Sequence, residues 1–199
     1  MEKQRTTKVV ALAALFMAII GMSVAFAAMS TTLQIDGTAA MQTANWDVRF
    51  VTGTLNSTTT TYASITTMPT LTTNNLGTFQ AVLTRPGDTV TFTFDVTNAG
   101  TINARINEIL RNGVVGGTPV CTGTATDEAT ATADAAIVCG NLTYTLTYTD
   151  GGAAVSLNDT LTAGQTRNLT LTLSYTGTTL PSDDVQITGL GITVTYVQN

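Results

Sequence analysis

Residues 83–100 read LTRPGDTVTFTFDVTNAG, and this stretch decides the fold class. From Val90 to Val96 apolar and polar residues alternate strictly, which is typical of a strand with one face in a core and the other in water. A Pro-Gly-Asp sequence precedes this run and an Asn-Ala-Gly sequence follows it, and both favour turns. The stretch therefore predicts a turn-bounded strand of an antiparallel sheet.

The same alternation recurs along the rest of the chain. Residues 46–50 read WDVRF, residues 142–148 read LTYTLTY, residues 169–175 read LTLTLSY and residues 190–196 read LGITVTY. Threonine, which is β-branched and favours strands, accounts for 45 of the 199 residues and fills most of the polar positions. No stretch beyond residue 30 shows a convincing helical period, although residues 99–110 could contain a short helical turn.

These patterns predict an all-β fold. We expect an antiparallel two-sheet sandwich of eight to ten strands, jelly-roll-like, over residues 41–199, preceded by an N-terminal hydrophobic signal helix. A chain of this length can bury enough surface for a single two-sheet core.

The composition excludes several classes of function. The chain has no histidine, so neither a Ser-His-Asp or Cys-His catalytic pair nor a histidine-ligated metal can form. A pI near 4.4 argues against binding to nucleic acid, which needs clustered lysine and arginine. The acidic pairs Asp127-Glu128 and Asp183-Asp184 lie in predicted loops, where solvated carboxylates are the ordinary case and a calcium site is the alternative. We therefore predict no catalytic residue, no cofactor and no metal.

The N-terminus has the features of an export signal. A basic stretch ends at Lys8, a mostly apolar run extends from Val9 to Met29, and small residues precede a cleavage point between Ala27 and Ala28. We interpret residues 1–27 as a signal peptide and the protein as exported, extracellular or at the cell surface. Membrane contact is then confined to this segment before processing. The alternative is a retained helix that tethers an Ig-like binding domain, which would contact ligands through its loops.

The chain from residue 28 onward contains no lysine, five arginines and twelve acidic residues, for a net charge of 5 − 12 = −7. Pili that join subunits through a lysine side chain, and domains with Lys–Asn isopeptide bonds, are therefore excluded. Any assembly of this chain is predicted to be non-covalent.

Cys121 and Cys139 lie in residues 111–139, the stretch that departs most from the strand pattern. In an exported protein two cysteines most often form a disulfide, which is the pairing we expect. A redox-active pair is the alternative, but such pairs usually show Cys-x-x-Cys spacing, which this chain lacks.

The same decisive stretch resembles the hallmark segment of the TasA/camelysin family. In that pattern a Pro-Gly-Asp turn starts a strand that ends at Asn-x-Gly. The N-terminus is similar too, because Ala27-Ala28-Met29 stands where the family has its processing site. The matching residues of the strand and its turns are Leu83, Thr84, Arg85, Pro86, Gly87, Asp88, Phe92, Phe94, Asn98, Ala99, Gly100 and Ala104.

This resemblance implies a function as well as a fold. Members are exported jelly-roll proteins, and the TasA branch builds extracellular fibres of the biofilm matrix. It implies donor-strand assembly, in which the mature N-terminal segment of one subunit completes the sheet of an identical neighbour, with a possible anchoring or capping protein. The camelysin branch is described as metalloprotease-like, but this chain has no His-Glu-x-x-His sequence, so we predict that it is not an enzyme.

Residues 28–40 fit the requirements for a donor strand and hinge. Leu33 and Ile35 alternate with polar residues, Gly37 provides a hinge, and Met29 is a further apolar anchor. A head-to-tail contact of this kind does not close and extends into a filament. The alternative is that residues 28–40 pair with their own domain as an ordinary first strand.

Overall fold

The computed structural model of the chain describes residues 7–18 and 43–199. Residues 7–18 form helix α1. Thr43–Asn199 belongs to a separate compact unit, which carries all the strands described below. None of the helices in the described ranges is both long and apolar enough to cross a membrane.

Within the described ranges the structure contains thirteen strands and two helices. Helix α2 spans Glu128–Gly140. The strands are β1 (Val48–Phe50), β2 (Asn56–Thr59), β3 (Ser64–Thr67), β4 (Gln80–Val82), β5 (Thr89–Asn98), β6 (Ala104–Arg111), β7 (Val114–Val115), β8 (Val120–Gly123), β9 (Leu142–Tyr148), β10 (Thr160–Leu161), β11 (Thr166–Tyr175), β12 (Val185–Thr188) and β13 (Ile192–Gln198).

The strands pair in antiparallel fashion, as the alternation predicts. The large sheet has the order β1-β5-β11-β9, with β2 also paired to β5. The second sheet has the order β10-β6-β13, with β7 also paired to β6. Two small sheets, β12-β8 and β3-β4, complete the pairing within residues 43–199.

The core is built from the alternate positions that the sequence marks as apolar. In β5 and β11 every second side chain is buried, and the two strands pair over nine residues. Ala104 and Leu161 of the second sheet join the same core, and Ile192, Val194 and Tyr196 of β13 pack against it partly exposed. The threonines between the apolar residues of β5 and β11 lie on the outer face of the large sheet.

The prediction of no helix beyond residue 30 is wrong, because residues 128–140 form α2. The segment is rich in alanine, a strong helix former, but its apolar residues recur only weakly at helical spacing. Its start is set by Asp127, whose carboxylate accepts a hydrogen bond from the Thr130 N–H at 2.9 Å. Residues 99–110 contain most of strand β6 and no helix.

The number of strands also exceeds the eight to ten expected. The excess comes from short elements: β7 and β10 have two residues each, and the small sheets use strands of three or four residues. Such strands are too short for alternation to reveal them.

Candidate functional site

An open cleft of about 970 Å³ lies over the inner face of the large sheet. Its floor is formed by buried side chains of β5 and β11, namely Phe94, Val96, Leu169 and Leu171. Residues of β1 and β13 and the segment Thr73–Gln80 line its sides. At the cleft, therefore, part of the apolar core is not covered by a strand of the described domain.

Strand β13 presents an open backbone edge to this cleft. It pairs with β6 on one side, and no second partner for it exists among residues 43–199. The Asn112 N–H donates to the Gly191 carbonyl and the Asn199 N–H donates to the Asn103 carbonyl, which fixes the hydrogen-bond alternation along the pair. By that alternation, the backbone N–H and C=O groups of Ile192, Val194 and Tyr196 point away from β6.

The Tyr196 end of this alternation is fixed by a second observation. Opposite Tyr196 on β6, Ile106 directs both backbone groups to the far side, where its N–H donates to Asp159 and its carbonyl accepts from Asn158. Ile106 and Tyr196 therefore form a non-hydrogen-bonded pair. The register of β13 against β6 shifts at a β-bulge between Thr195 and Tyr196. On both sides of this bulge, the N–H and C=O groups of every second residue of β13 still point away from β6.

The apolar side chains around the cleft are only half covered. The side chains on β5 and β11 beneath it are at most 5% exposed, whereas their neighbours at the cleft are of intermediate exposure. Among these, the Phe50 ring packs edge-on against Phe94 at 5.3 Å between centroids. Full burial of an exposed apolar side chain contributes about 1.5–3 kcal/mol, and an added strand would gain the remaining part of this free energy at each half-covered side chain, so the cleft is a favourable place for an apolar strand. The half-covered apolar residues that line it are Val48, Phe50, Leu76, Phe79, Val155, Leu190, Ile192, Val194 and Tyr196.

One wall of the cleft, residues 187–191, is held by several contacts. The Tyr144 hydroxyl donates to the Leu190 carbonyl, and β12 pairs with β8. A disulfide joins Cys121 of β8 to Cys139 of α2. In α2 the buried Asp134 carboxylate accepts from the N–H groups of Ser182 and Asp183 at 2.8 and 3.0 Å. The helix that sequence reasoning missed thus fastens the segment that leads into this wall.

A small polar network lies near the Tyr196 end of the cleft. The Tyr148 hydroxyl donates to Asp159 at 3.0 Å, and the Arg167 guanidinium stacks over the Tyr148 ring at 4.6 Å. Burial, and then the hydrogen bond and negative charge of Asp159, raise the pKa of Tyr148 to about 12. Burial also raises the pKa of Tyr196 above its ordinary value. Both phenols are therefore neutral at physiological pH.

The point at which the domain begins is fixed by the turn after β5. The Thr101 N–H donates to the Asn45 carbonyl, and the Ala99 N–H donates to the Asp47 carbonyl. A Cβ atom at Gly100 would overlap the Asn45 carbonyl oxygen and lie 2.8 Å from the Asp47 nitrogen, so only glycine permits this approach. The Asn-Ala-Gly turn therefore fixes the position of the first residues of the domain.

The Pro-Gly-Asp turn lies between β4 and β5 and is organised by Asp88. Gly87 has a φ of +85°, a left-handed conformation that glycine adopts without strain. The Asp88 carboxylate, 3% exposed, accepts hydrogen bonds from the N–H groups of Thr84 and Arg85 and from the Thr60 hydroxyl. Burial raises the pKa of Asp88, but these hydrogen bonds to the ionised form together outweigh it, and the net pKa is lowered.

This arrangement predicts a pH-dependent contribution to stability. Because the pKa of Asp88 is lower in the folded chain, its ionised form stabilises the fold above the unfolded pKa, near 4, and the contribution is lost as pH falls through the folded value. We expect Asp88→Asn to lower the free energy of unfolding by about 2 kcal/mol at pH 7. The difference from wild type should shrink toward about pH 2, as measured by chemical unfolding. A difference that stays constant with pH would contradict this role.

Several of the predicted site residues fall outside the described ranges. These are Ala27 and Ala28 of the cleavage point and Met29, Leu33 and Ile35 of the donor segment. Asp127 and Glu128, predicted to lie in a loop, instead cap and begin α2, while Asp183 and Asp184 lie in the loop before β12. Within residues 7–18 and 43–199 no group of three or more histidine, cysteine or acidic side chains is arranged to hold a metal ion.

Sequence reasoning did not locate the cleft. The alternation in β13 predicts a strand with one buried face, but it carries no signal that one edge is unpaired. Trp46, 38% exposed and two residues before β1, is the nearest sequence indication, since a lone tryptophan beside the first strand suggests an apolar surface. Comparison of this chain with protein-family models, with curated proteins and with solved structures finds no match.

Proposed function

We propose that this chain is an exported structural subunit of a non-covalent extracellular filament, of the TasA/camelysin kind. Its domain is a jelly-roll-like sandwich with one strand position empty beside β13. Residues 28–40, exposed by removal of the signal peptide between Ala27 and Ala28, fill that position in the next identical subunit. The filament is a surface fibre or part of a biofilm matrix.

The observation that carries this proposal is the open edge of β13 beside a half-covered apolar cleft. An added strand would satisfy the outward N–H and C=O groups of Ile192, Val194 and Tyr196 and cover the apolar side chains beneath them. Both effects favour an extended segment with apolar residues at alternate positions. A compact partner would leave the backbone groups of the edge unpaired.

Residues 28–40 have the required pattern. Leu33 and Ile35 lie two residues apart, so in a strand both side chains point to the same face. Met29 falls on that same face, four residues before Leu33. Thr32, Gln34 and Asp36 point the opposite way, toward water. β13 has seven residues, which a segment of thirteen residues spans with room for a hinge at Gly37.

Each subunit has one donor segment and one cleft, and this favours a chain of subunits. Asn45 and Asp47 are held to the turn after β5 by backbone hydrogen bonds, so the first residues of the described domain are part of its fold and are not free to act as the donor. When each subunit gives its segment to the next, the contact is head-to-tail and repeats without closing. Assembly then needs no lysine and no covalent link, in agreement with the lysine-free chain from residue 28 onward.

Val194→Pro tests the docking edge directly. The Val194 N–H points away from β6, so its loss removes a hydrogen bond to an incoming strand and none to the domain's own sheet. We expect the 28–199 chain with Val194→Pro to remain folded, with its rate of filament growth reduced at least about tenfold. Negative-stain electron microscopy and light scattering measure this growth.

The matched control is Thr59→Pro in β2. The Thr60 N–H donates to the Thr89 carbonyl, so by the alternation of an antiparallel pair the Thr59 N–H points away from β5, and its loss removes no hydrogen bond of the sheet. That substitution also lies in an edge strand but outside the cleft lining. Filaments that form equally fast with Val194→Pro and with wild type would contradict docking at β13. A purified chain that keeps residues 1–27 in its intact mass, and stays monomeric, would favour the membrane-tethered binding domain instead.

A further inference from the structure

The wall of the cleft that residues 187–191 form is held in different ways at its two ends. At one end, the Leu190 carbonyl accepts a hydrogen bond from the hydroxyl of Tyr144, which belongs to the large sheet. At the other end, Ile187 lies opposite Cys121 in the two-stranded sheet of β12 and β8. The Ile187 end of the wall therefore depends on a part of the chain outside the two main sheets.

This supporting part consists of β8, α2 and β12, and we call it the lateral unit. None of its residues belongs to the apolar core that the two main sheets enclose. Every residue of β8 and β12 is at least partly exposed, and α2 buries only Asp134 and Val138. A two-stranded sheet and a single helix of 13 residues are each marginally stable on their own in water. The lateral unit therefore depends on the links between its elements.

The links between these elements form a closed ring. Strand β8 pairs with β12, and the disulfide joins Cys121 of β8 to Cys139 of α2. The buried Asp134 carboxylate of α2 then accepts from the N–H groups of Ser182 and Asp183, shortly before β12. The disulfide is the covalent link in this ring. Without it, a helix that buries little apolar surface is held to the strands mainly by polar contacts, which favours local opening.

We propose that the Cys121–Cys139 disulfide is a redox switch that sets whether the cleft can accept a strand. When the bond is closed, the lateral unit holds residues 187–191 and the wall of the cleft is complete. When the bond is open, the lateral unit unfolds locally and the Ile187 end of the wall loses its support, while the two main sheets stay folded. This inference rests on the proposed filament function. In an exported chain, the wall is then completed only in an oxidising environment, so that assembly follows export.

The switch is set by thiol–disulfide exchange. Both cysteines are partly exposed, so small reagents can reach them. To close the bond, the thiolate of one cysteine attacks a low-molecular-weight disulfide, forms a mixed disulfide and releases one small thiol. The thiolate of the other cysteine then displaces the second small thiol. Two cysteine thiols are oxidised in this way, and one small disulfide is reduced to two thiols. An excess of a dithiol reductant opens the bond by the reverse exchange.

Hydrogen exchange and filament growth of the 28–199 chain test this inference together. Cys121 and Cys139 are the two cysteines of the chain, so a reductant acts on this bond alone. We expect reduction to accelerate amide exchange at least about tenfold in peptides of the lateral unit and to leave peptides of β5 and β11 unchanged. Filament growth, measured by light scattering, should slow at least about tenfold and recover when oxidised glutathione restores the bond.

The matched control is the variant Cys121→Ser/Cys139→Ser, which has the same length and charge but cannot form the bond. We expect this variant to exchange and to assemble like the reduced wild-type chain. Addition of reductant or of oxidised glutathione should not change either measurement. This result would show that both reagents act on the wild-type chain through the disulfide.

The outcomes separate this inference from the proposed function. Faster exchange in the lateral unit together with slower growth, both reversed by oxidation, supports the switch. If reduction leaves either the exchange or the growth unchanged, the switch is overturned and donor-strand assembly still stands. Faster exchange in β5 and β11 as well would also overturn it, because the disulfide would then stabilise the whole domain. If the oxidised chain forms no filaments, the proposed function fails and this inference fails with it.

Discussion

The chain of residues 41–199 is expected to be a folded monomer that forms no filaments at concentrations where the 28–199 chain assembles fully. The deletion removes the segment that supplies the incoming strand but leaves the compact unit Thr43–Asn199 complete. Because every contact in the proposed filament needs one segment and one cleft, loss of the segment abolishes growth and does not merely slow it. Electron microscopy detects the filaments, and size-exclusion chromatography detects the folded monomer.

Two point-variant pairs serve as controls for this deletion. Leu33→Ser with Ile35→Ser removes the apolar anchors at unchanged length and should prevent filaments as well, since each anchor contributes about 1.5–3 kcal/mol on burial. Thr32→Ser with Gln34→Asn changes the polar side of the same segment and should leave assembly intact. Filaments formed by the 41–199 chain would exclude residues 28–40 as the donor.

Asn98→Ala is expected to have the largest effect on stability of any single substitution outside the apolar core. The Asn98 side chain is fully buried, and its amide donates to the carbonyls of Ile102 and Leu161 while its oxygen accepts from the Gly100 N–H. Alanine would remove all three of these hydrogen bonds from a buried site. We expect the free energy of unfolding to fall by about 3–4 kcal/mol, measured by urea unfolding.

The control for this substitution is Asn56→Ala. Asn56 is exposed in β2, and its amide makes a hydrogen bond to the Thr54 carbonyl at 3.2 Å. Its replacement should change stability by no more than about 0.5 kcal/mol. If Asn98→Ala costs as little as Asn56→Ala, then Asn98 does not join the end of β5 to β10 and to the loop before β6, as the hydrogen bonds indicate.

The strands of the core could be predicted because their signal is local. Val90, Phe92 and Phe94 are buried and the residues between them are not, as strict alternation requires. The turn before β5 could be predicted equally well from the sequence, since Gly87 adopts a left-handed φ without strain and Asp88 can accept hydrogen bonds from nearby N–H groups. These features depend on residues close together in sequence, and a sequence pattern records them.

The remaining features depend on contacts between distant residues. Helix α2 has weak periodicity because it packs mainly on β8 and β12 and buries few side chains, among them the polar Asp134. The cleft exists because no strand among residues 43–199 covers the edge of β13, and the alternation of β13 is the same with or without a neighbour.

The central claim is that residues 28–40 of one subunit occupy the cleft of another, and photo-cross-linking tests it most directly. A photoreactive phenylalanine analogue replaces Leu33 in an isotopically light 28–199 chain, which is assembled with an excess of a heavy, unmodified chain. Mass spectrometry of the irradiated filaments identifies the joined peptides. We expect light–heavy cross-links from position 33 to peptides containing residues 192–196 or 73–80. Cross-links confined to peptides of the same light chain would contradict it, because they would show a segment that closes its own domain.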